Sequence, residues 1–65
     1  MSLPHRNLPA PQGIDATCAW WRLSSGCLLF ATPGSVHLGA VMTPDSAEQD
    51  AFAVLAAAAW ARGER

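Results

Sequence analysis

The sequence contains no lysine and no tyrosine, and only 14% of its 65 residues are charged. Four arginines against five carboxylates leave a net charge of -1. This charge provides neither the basic surface that binds a phosphate backbone nor an acidic surface that would imitate one. The 13 alanines and the missing lysines favour a GC-rich bacterial or phage genome as the source.

Long apolar segments are also missing. The longest uninterrupted apolar run covers residues 51–61, about half of the ~20 residues that a membrane-spanning helix needs. Residues 1–13 contain no apolar signal-peptide core, and their prolines would interrupt one. We therefore expect a cytoplasmic protein without a membrane segment.

Residues that catalyse reactions or bind metals are few and poorly spaced. Asp45 and Glu48 fall in the first turn of a predicted helix, where they interact with the helix dipole. No nucleophile motif such as GxSxG occurs. The histidines and cysteines lack the close CxxC or HxxxH pairing of a zinc site: His5, His37, Cys18 and Cys27. We expect no metal, no cofactor and no catalytic activity.

The middle of the chain predicts a three-stranded antiparallel meander, with strands over about residues 17–23, 27–32 and 35–42. Gly26 favours a three-residue loop in the first hairpin, which would place Leu23 opposite Cys27, whereas a two-residue loop would shift the pairing and exchange the two faces of the second strand. Pro33 and Gly34 are typical of a type II turn, and we expect a second loop wider than two residues because proline does not fit the primed turns. A turn centred there places Leu29 opposite Leu38.

A helix is predicted after the meander. Thr43 is the expected N-cap, Pro44 the first helical residue, and Gly63 the stop after about Arg62. The helical spacing predicts a face that packs on the sheet, formed by Phe52, Leu55, Ala51, Ala58 and Ala59. The expected fold is α+β, with a βββα domain over residues 15–65 and a Pro-rich arm over residues 1–14. The arm is either a disordered tail or a strap across the sheet.

One helix covers one face of such a sheet, so two apolar surfaces are left over. The first is the opposite face of the sheet, a candidate partner-binding site carrying Trp20, Arg22, Leu28, Phe30 and His37. The second is the back of the helix, with Val54, Ala57, Trp60 and Ala61. Either is merely core if the arm or a second copy covers it.

These features favour a non-enzymatic module that docks on a larger protein, because tryptophan and arginine are enriched at binding hot spots. Size and composition suggest a bacterial or phage-encoded inhibitor or adaptor, for example an anti-defence protein of the anti-CRISPR type. One alternative is a single-stranded nucleic-acid binder that stacks bases on the sheet aromatics. Another is a structural homodimer that buries the same residues.

Overall fold

The computed structural model describes residues 8–39 and 41–64. The fold is α+β: a four-stranded antiparallel sheet in the order β1-β2-β3-β4, with one helix packed on one face. The elements are β1 (Gly13–Ile14), β2 (Ala19–Arg22), β3 (Leu28–Thr32), β4 (Ser35–Leu38) and α1 (Pro44–Ala61). The fold class is as predicted, and the number of strands is not.

The additional strand, β1, comes from the segment predicted to be an arm. Gly13 pairs with Trp20, and the Gln12 backbone N–H donates to the Trp20 carbonyl at 2.7 Å. The Trp21 indole N–H donates to the Pro9 carbonyl at 3.0 Å. Residues 8–14 therefore lie against the domain, whereas residues 1–7 of the predicted arm lie outside the described residues. Two residues of strand between prolines and a turn are too short to produce an alternating pattern.

The first hairpin has the predicted register. Gly26 has a φ of 90°, and the Leu23 N–H donates to the Cys27 carbonyl at 2.8 Å. A glycine in the left-handed region closes a three-residue loop in this way. Consequently Trp21 is paired with Leu29, and both side chains point toward the helix.

The second hairpin has the predicted register, Leu29 opposite Leu38, but the loop is narrower than expected. Thr32 pairs with Ser35, leaving only Pro33 and Gly34 between the strands. Gly34 has the positive φ of 84° that a type II turn requires. Its N–H also donates to the carbonyl of Ala61 at 2.9 Å, so contact with the end of the helix holds a turn that is unusual for a tight hairpin.

The strands are shorter than predicted at the outer ends of the meander. β4 stops at Leu38, and Val41 is fully exposed. The alternating pattern predicts a strand to residue 42, but the chain has to leave the sheet before the helix begins at Pro44. Gly39, at the end of the strand, has no side chain to pack on the sheet.

Both ends of the helix agree with the sequence prediction. The Thr43 hydroxyl accepts a hydrogen bond from the Ser46 N–H at 3.2 Å, and Pro44 is the first helical residue. At the other end Gly63 has a φ of 89°, and the N–H of Glu64 donates to the Ala59 carbonyl at 3.0 Å. These are the contacts of a capped N-terminus and of a glycine-terminated C-terminus.

The predicted inner face of the helix is wrong. Phe52 and Leu55 are 51% and 43% exposed, whereas Trp60 is only 7% exposed and Ala57 is completely buried. Of the predicted stripe, only Ala59 is buried. The helix is apolar on several sides, so its pattern does not decide its rotation. Burial of the largest side chain, Trp60, decides it.

Asp50 supports the same rotation. It is 7% exposed, and its carboxylate accepts hydrogen bonds from the Ser24 N–H at 3.0 Å and the Ser24 hydroxyl at 2.9 Å. The helix is therefore bonded to the loop between β2 and β3. The contact spans 26 positions of the chain, so no local sequence pattern indicates it.

Candidate functional site

The face of the sheet opposite α1 carries the predicted partner-binding residues, and we call it the outer face: Trp20, Arg22, Leu28, Phe30 and His37. Trp20 pairs with Phe30, and Phe30 pairs with His37. Arg22 pairs with Leu28 two positions further along the two strands. Because paired residues of adjacent antiparallel strands point to the same side, the structure brings all five together.

The outer face is open along β3 and β4. Leu28 is 38% and Phe30 37% exposed, and Arg22 and His37 are exposed as well. The His37 Nε2 lies 3.3 Å from the Thr32 hydroxyl, which orients the imidazole along the sheet. Arg22 is the only charged side chain of the five, so the surface is apolar with one cation at its margin.

Trp20 is positioned by a glycine. The indole lies across Gly13, where a Cβ atom would collide with the six-membered ring of Trp20. β1 thus covers part of Trp20, which is half-buried. The remaining residues of the row are more accessible than Trp20, so Phe30 is the better probe of this surface. The sequence does not reveal this contact, because β1 has no pattern that predicts it.

The second predicted surface is not intact in the structure. Ala57 is completely buried and Trp60 nearly so, both in the core beneath the helix. Ala61 is half-buried and packs at the margin of the same core, while Val54 is 37% exposed. The rotation of the helix therefore removes Ala57 and Trp60 from the surface and exposes Phe52 and Leu55 instead.

Sequence reasoning missed an apolar groove between residues 8–16 and the C-terminal half of the helix. Its volume is about 590 Å³. Trp21, Ala56 and Trp60 line it on the side of the core, and Asp15 and Glu64 lie among the lining residues. The groove depends on the position of residues 8–14, which the sequence left open.

The described residues offer no arrangement for metal chemistry. Within 8–39 and 41–64, no three His, Cys, Asp or Glu side chains come together as a metal site would require. Cys18 and Cys27 are free thiols, placed before β2 and before β3 at opposite ends of the hairpin. Asp15 accepts a hydrogen bond from the Thr17 backbone N–H at 2.8 Å, and this bond lowers its pKa below the ordinary value of 3.8.

Within residues 8–39 and 41–64, no helix is both long enough and apolar enough to cross a bilayer. Comparison with known proteins adds no relative: no protein-family model, no curated protein and no solved structure matches this chain. The structure by itself defines the class, a small α+β protein whose antiparallel sheet is covered by a helix on one face.

Proposed function

We propose that this protein is a non-enzymatic binding module that docks its outer face on a larger protein. The observation that carries the proposal is the cross-strand row of Trp20, Phe30 and His37, which lies on the side of the sheet that the helix does not cover. An apolar surface with aromatic residues and an arginine at its margin has the composition of a binding hot spot. The module acts in the cytoplasm as an inhibitor or adaptor encoded by a bacterium or phage.

The second candidate function is single-stranded nucleic-acid binding. It is favoured by the same register, since rings on adjacent strands offer successive bases a stacking surface, and Arg22 lies two positions along β2 from Trp20. Against it, Arg22 is the only cation among the outer-face residues, and a net charge of -1 provides little attraction to a phosphate backbone. A protein partner is therefore the preferred ligand.

The test uses two phenylalanines on different surfaces. Phe30 is on the outer face and 37% exposed, whereas Phe52 is on the helix and 51% exposed. Tagged wild type, Phe30→Ala and Phe52→Ala are used as baits in lysate of the native host, with and without nuclease. We expect a stoichiometric protein that Phe30→Ala loses and Phe52→Ala retains.

Retention by both variants, or loss with Phe52→Ala alone, would contradict docking through the outer face. A signal that disappears with nuclease would favour the nucleic-acid alternative. Fluorescence anisotropy of a labelled single-stranded oligonucleotide then checks that alternative directly, with the same two variants. Circular dichroism of each bait establishes that loss of binding is not loss of folding.

A further inference from the structure

β4 is an open edge of the sheet. Every residue of Ser35–Leu38 is exposed, and the strand contains no lysine, no proline and no bulge. Those are the features by which natural proteins protect a sheet edge from pairing with another chain. The opposite edge is protected, because β1 is two residues long and follows Pro9 and Pro11.

The hydrogen-bond pattern shows which backbone groups of β4 point outward. In an antiparallel ladder, residue pairs that exchange hydrogen bonds alternate with pairs that do not. The bond from Leu23 to Cys27 sets this alternation across the sheet. The backbone groups of Phe30 accordingly face β4, and those of His37 face β3. The N–H and C=O groups of Val36 and Leu38 are directed away from the sheet.

The outward N–H and C=O groups of Val36 and Leu38 need hydrogen-bond partners of a particular kind. Among the described residues, no backbone or side-chain group bonds to the outward N–H and C=O of Val36 and Leu38. A row of alternating donors and acceptors is satisfied by another extended backbone. The depression at this edge is lined by residues on both sides of β4, including Phe30, Val36, His37 and Leu38.

We propose that the occupant is β4 of a second copy, paired antiparallel about a two-fold axis through His37. In this register Val36 lies opposite Leu38 of the copy and Leu38 opposite its Val36, so every outward group of these two residues is bonded. A register centred on Val36 would direct Leu38 to Gly34 of the copy, whose N–H is already bonded to Ala61.

Charge also favours a second copy. Residues 33–44 contain no Asp, Glu, Lys or Arg, so two β4 strands meet without like-charge repulsion. Val36 and Leu38 are 40% and 39% exposed on the helix side, and pairing joins them across the axis. The result is one continuous sheet in which the two outer faces are neighbours.

So short a strand pair buries less surface than a standard interface, and we expect association that depends on concentration. Light scattering and sedimentation should show a mass that rises toward twice that of one chain. Amide hydrogen exchange at Val36 and Leu38 should slow over the same concentration range. The amides of Ser35 and His37 face β3 and should be unaffected.

Two variants test the register. Val36→Pro removes an outward N–H, which an edge strand tolerates, and should leave a folded single chain. His37→Glu places two carboxylates opposite each other at the axis and should also prevent pairing. Gln12→Glu is the control for added charge, because the exposed Gln12 adjoins β1 at the opposite edge of the sheet. It should associate like the wild type.

If the measured mass stays that of a single chain at every soluble concentration, the proposed dimer is wrong. The open edge of β4 would then be a candidate site for a strand of a different protein. A dimer that survives both Val36→Pro and His37→Glu would overturn the proposal too, because a different surface would hold the copies. Phe30→Ala should retain the dimer. Loss of the larger partner with Phe30→Ala and loss of the dimer with Val36→Pro are therefore separate outcomes.

Discussion

Two pairs of identical neighbours show how different the two faces of the sheet are. Leu29 is completely buried and Leu28 is 38% exposed. Trp21 is 4% exposed, while the adjacent Trp20 is half-buried against Gly13. Side chains alternate along a strand, so a single step along the chain separates the core from the candidate binding surface. Residue type alone carries no information about which of the two roles a residue has.

The largest expected difference between the faces is at the two leucines. Leu29→Ala should lower the free energy of unfolding by about 2–5 kcal/mol, because it removes a buried side chain and leaves a cavity. Leu28→Ala should change it by no more than about 0.5 kcal/mol, as is usual for surface positions. Urea denaturation of the two variants provides the comparison, and equal losses would contradict the assignment of the faces.

The next largest effect concerns the hydrogen bonds between Asp50 on the helix and Ser24 in the loop between β2 and β3. Asp50→Ala should cost about 1.5–3 kcal/mol of unfolding free energy, because hydrogen bonds to a charged group are lost and the Ser24 N–H is left without its partner. Ser24→Ala removes only the hydroxyl bond and should cost less. If Asp50→Ala costs no more than Ser24→Ala, the bond to the backbone N–H contributes nothing.

The two tryptophans should differ by a smaller amount. Trp21→Phe loses the hydrogen bond from the indole to the Pro9 carbonyl, which contributes about 0.5–1.5 kcal/mol to stability. Trp21 is also buried, so its replacement leaves a cavity as well, and Trp20→Phe, which removes the same atoms from a half-buried position, should cost less. Hydrogen exchange at Gln12 should quicken in the Trp21 variant. Unchanged exchange there would show that residues 8–14 are held by other contacts.

The smallest expected effect is at Asp15, before β2. Its folded-state pKa is lowered by the Thr17 N–H, so the charged carboxylate stabilises the fold above its ordinary pKa of 3.8. The contribution is lost as the pH falls through the lowered value. An NMR titration of the Asp15 carboxyl carbon should give a midpoint below 3.8. Asp15→Asn should abolish the shift of the Thr17 amide over that range.

Much of the fold was predictable because its signals are local. Thr43 and Pro44 begin the helix, Gly63 ends it, and Gly26 determines the length of the first loop. Each of these positions depends on its own φ angle or on a hydrogen bond within three or four residues. The registers inferred from the two turns agree with the structure, although the narrow second loop was not predicted and its Gly34 N–H bonds to the end of the helix.

The remainder depended on contacts between distant parts of the chain. The helix is apolar on several sides, so its sequence does not say which side is buried; Trp60 and the bond from Asp50 to Ser24 decide its rotation. β1 exists because residues 8–14 can bond to β2 and because Gly13 leaves room for Trp20. The predicted second binding surface on the back of the helix was wrong for the same reason, because the sequence did not fix which side of the helix is buried.

The sequence by itself determined both ends of the helix, the positions of the two turns and the alternation of side chains along each strand, because turns, caps and period-2 alternation act over a few residues. Only the tertiary structure decided the rotation of α1, the fourth strand and the groove between residues 8–16 and the helix. Those features are set by packing and hydrogen bonds between residues far apart in the chain, for which a sequence pattern has no local signal.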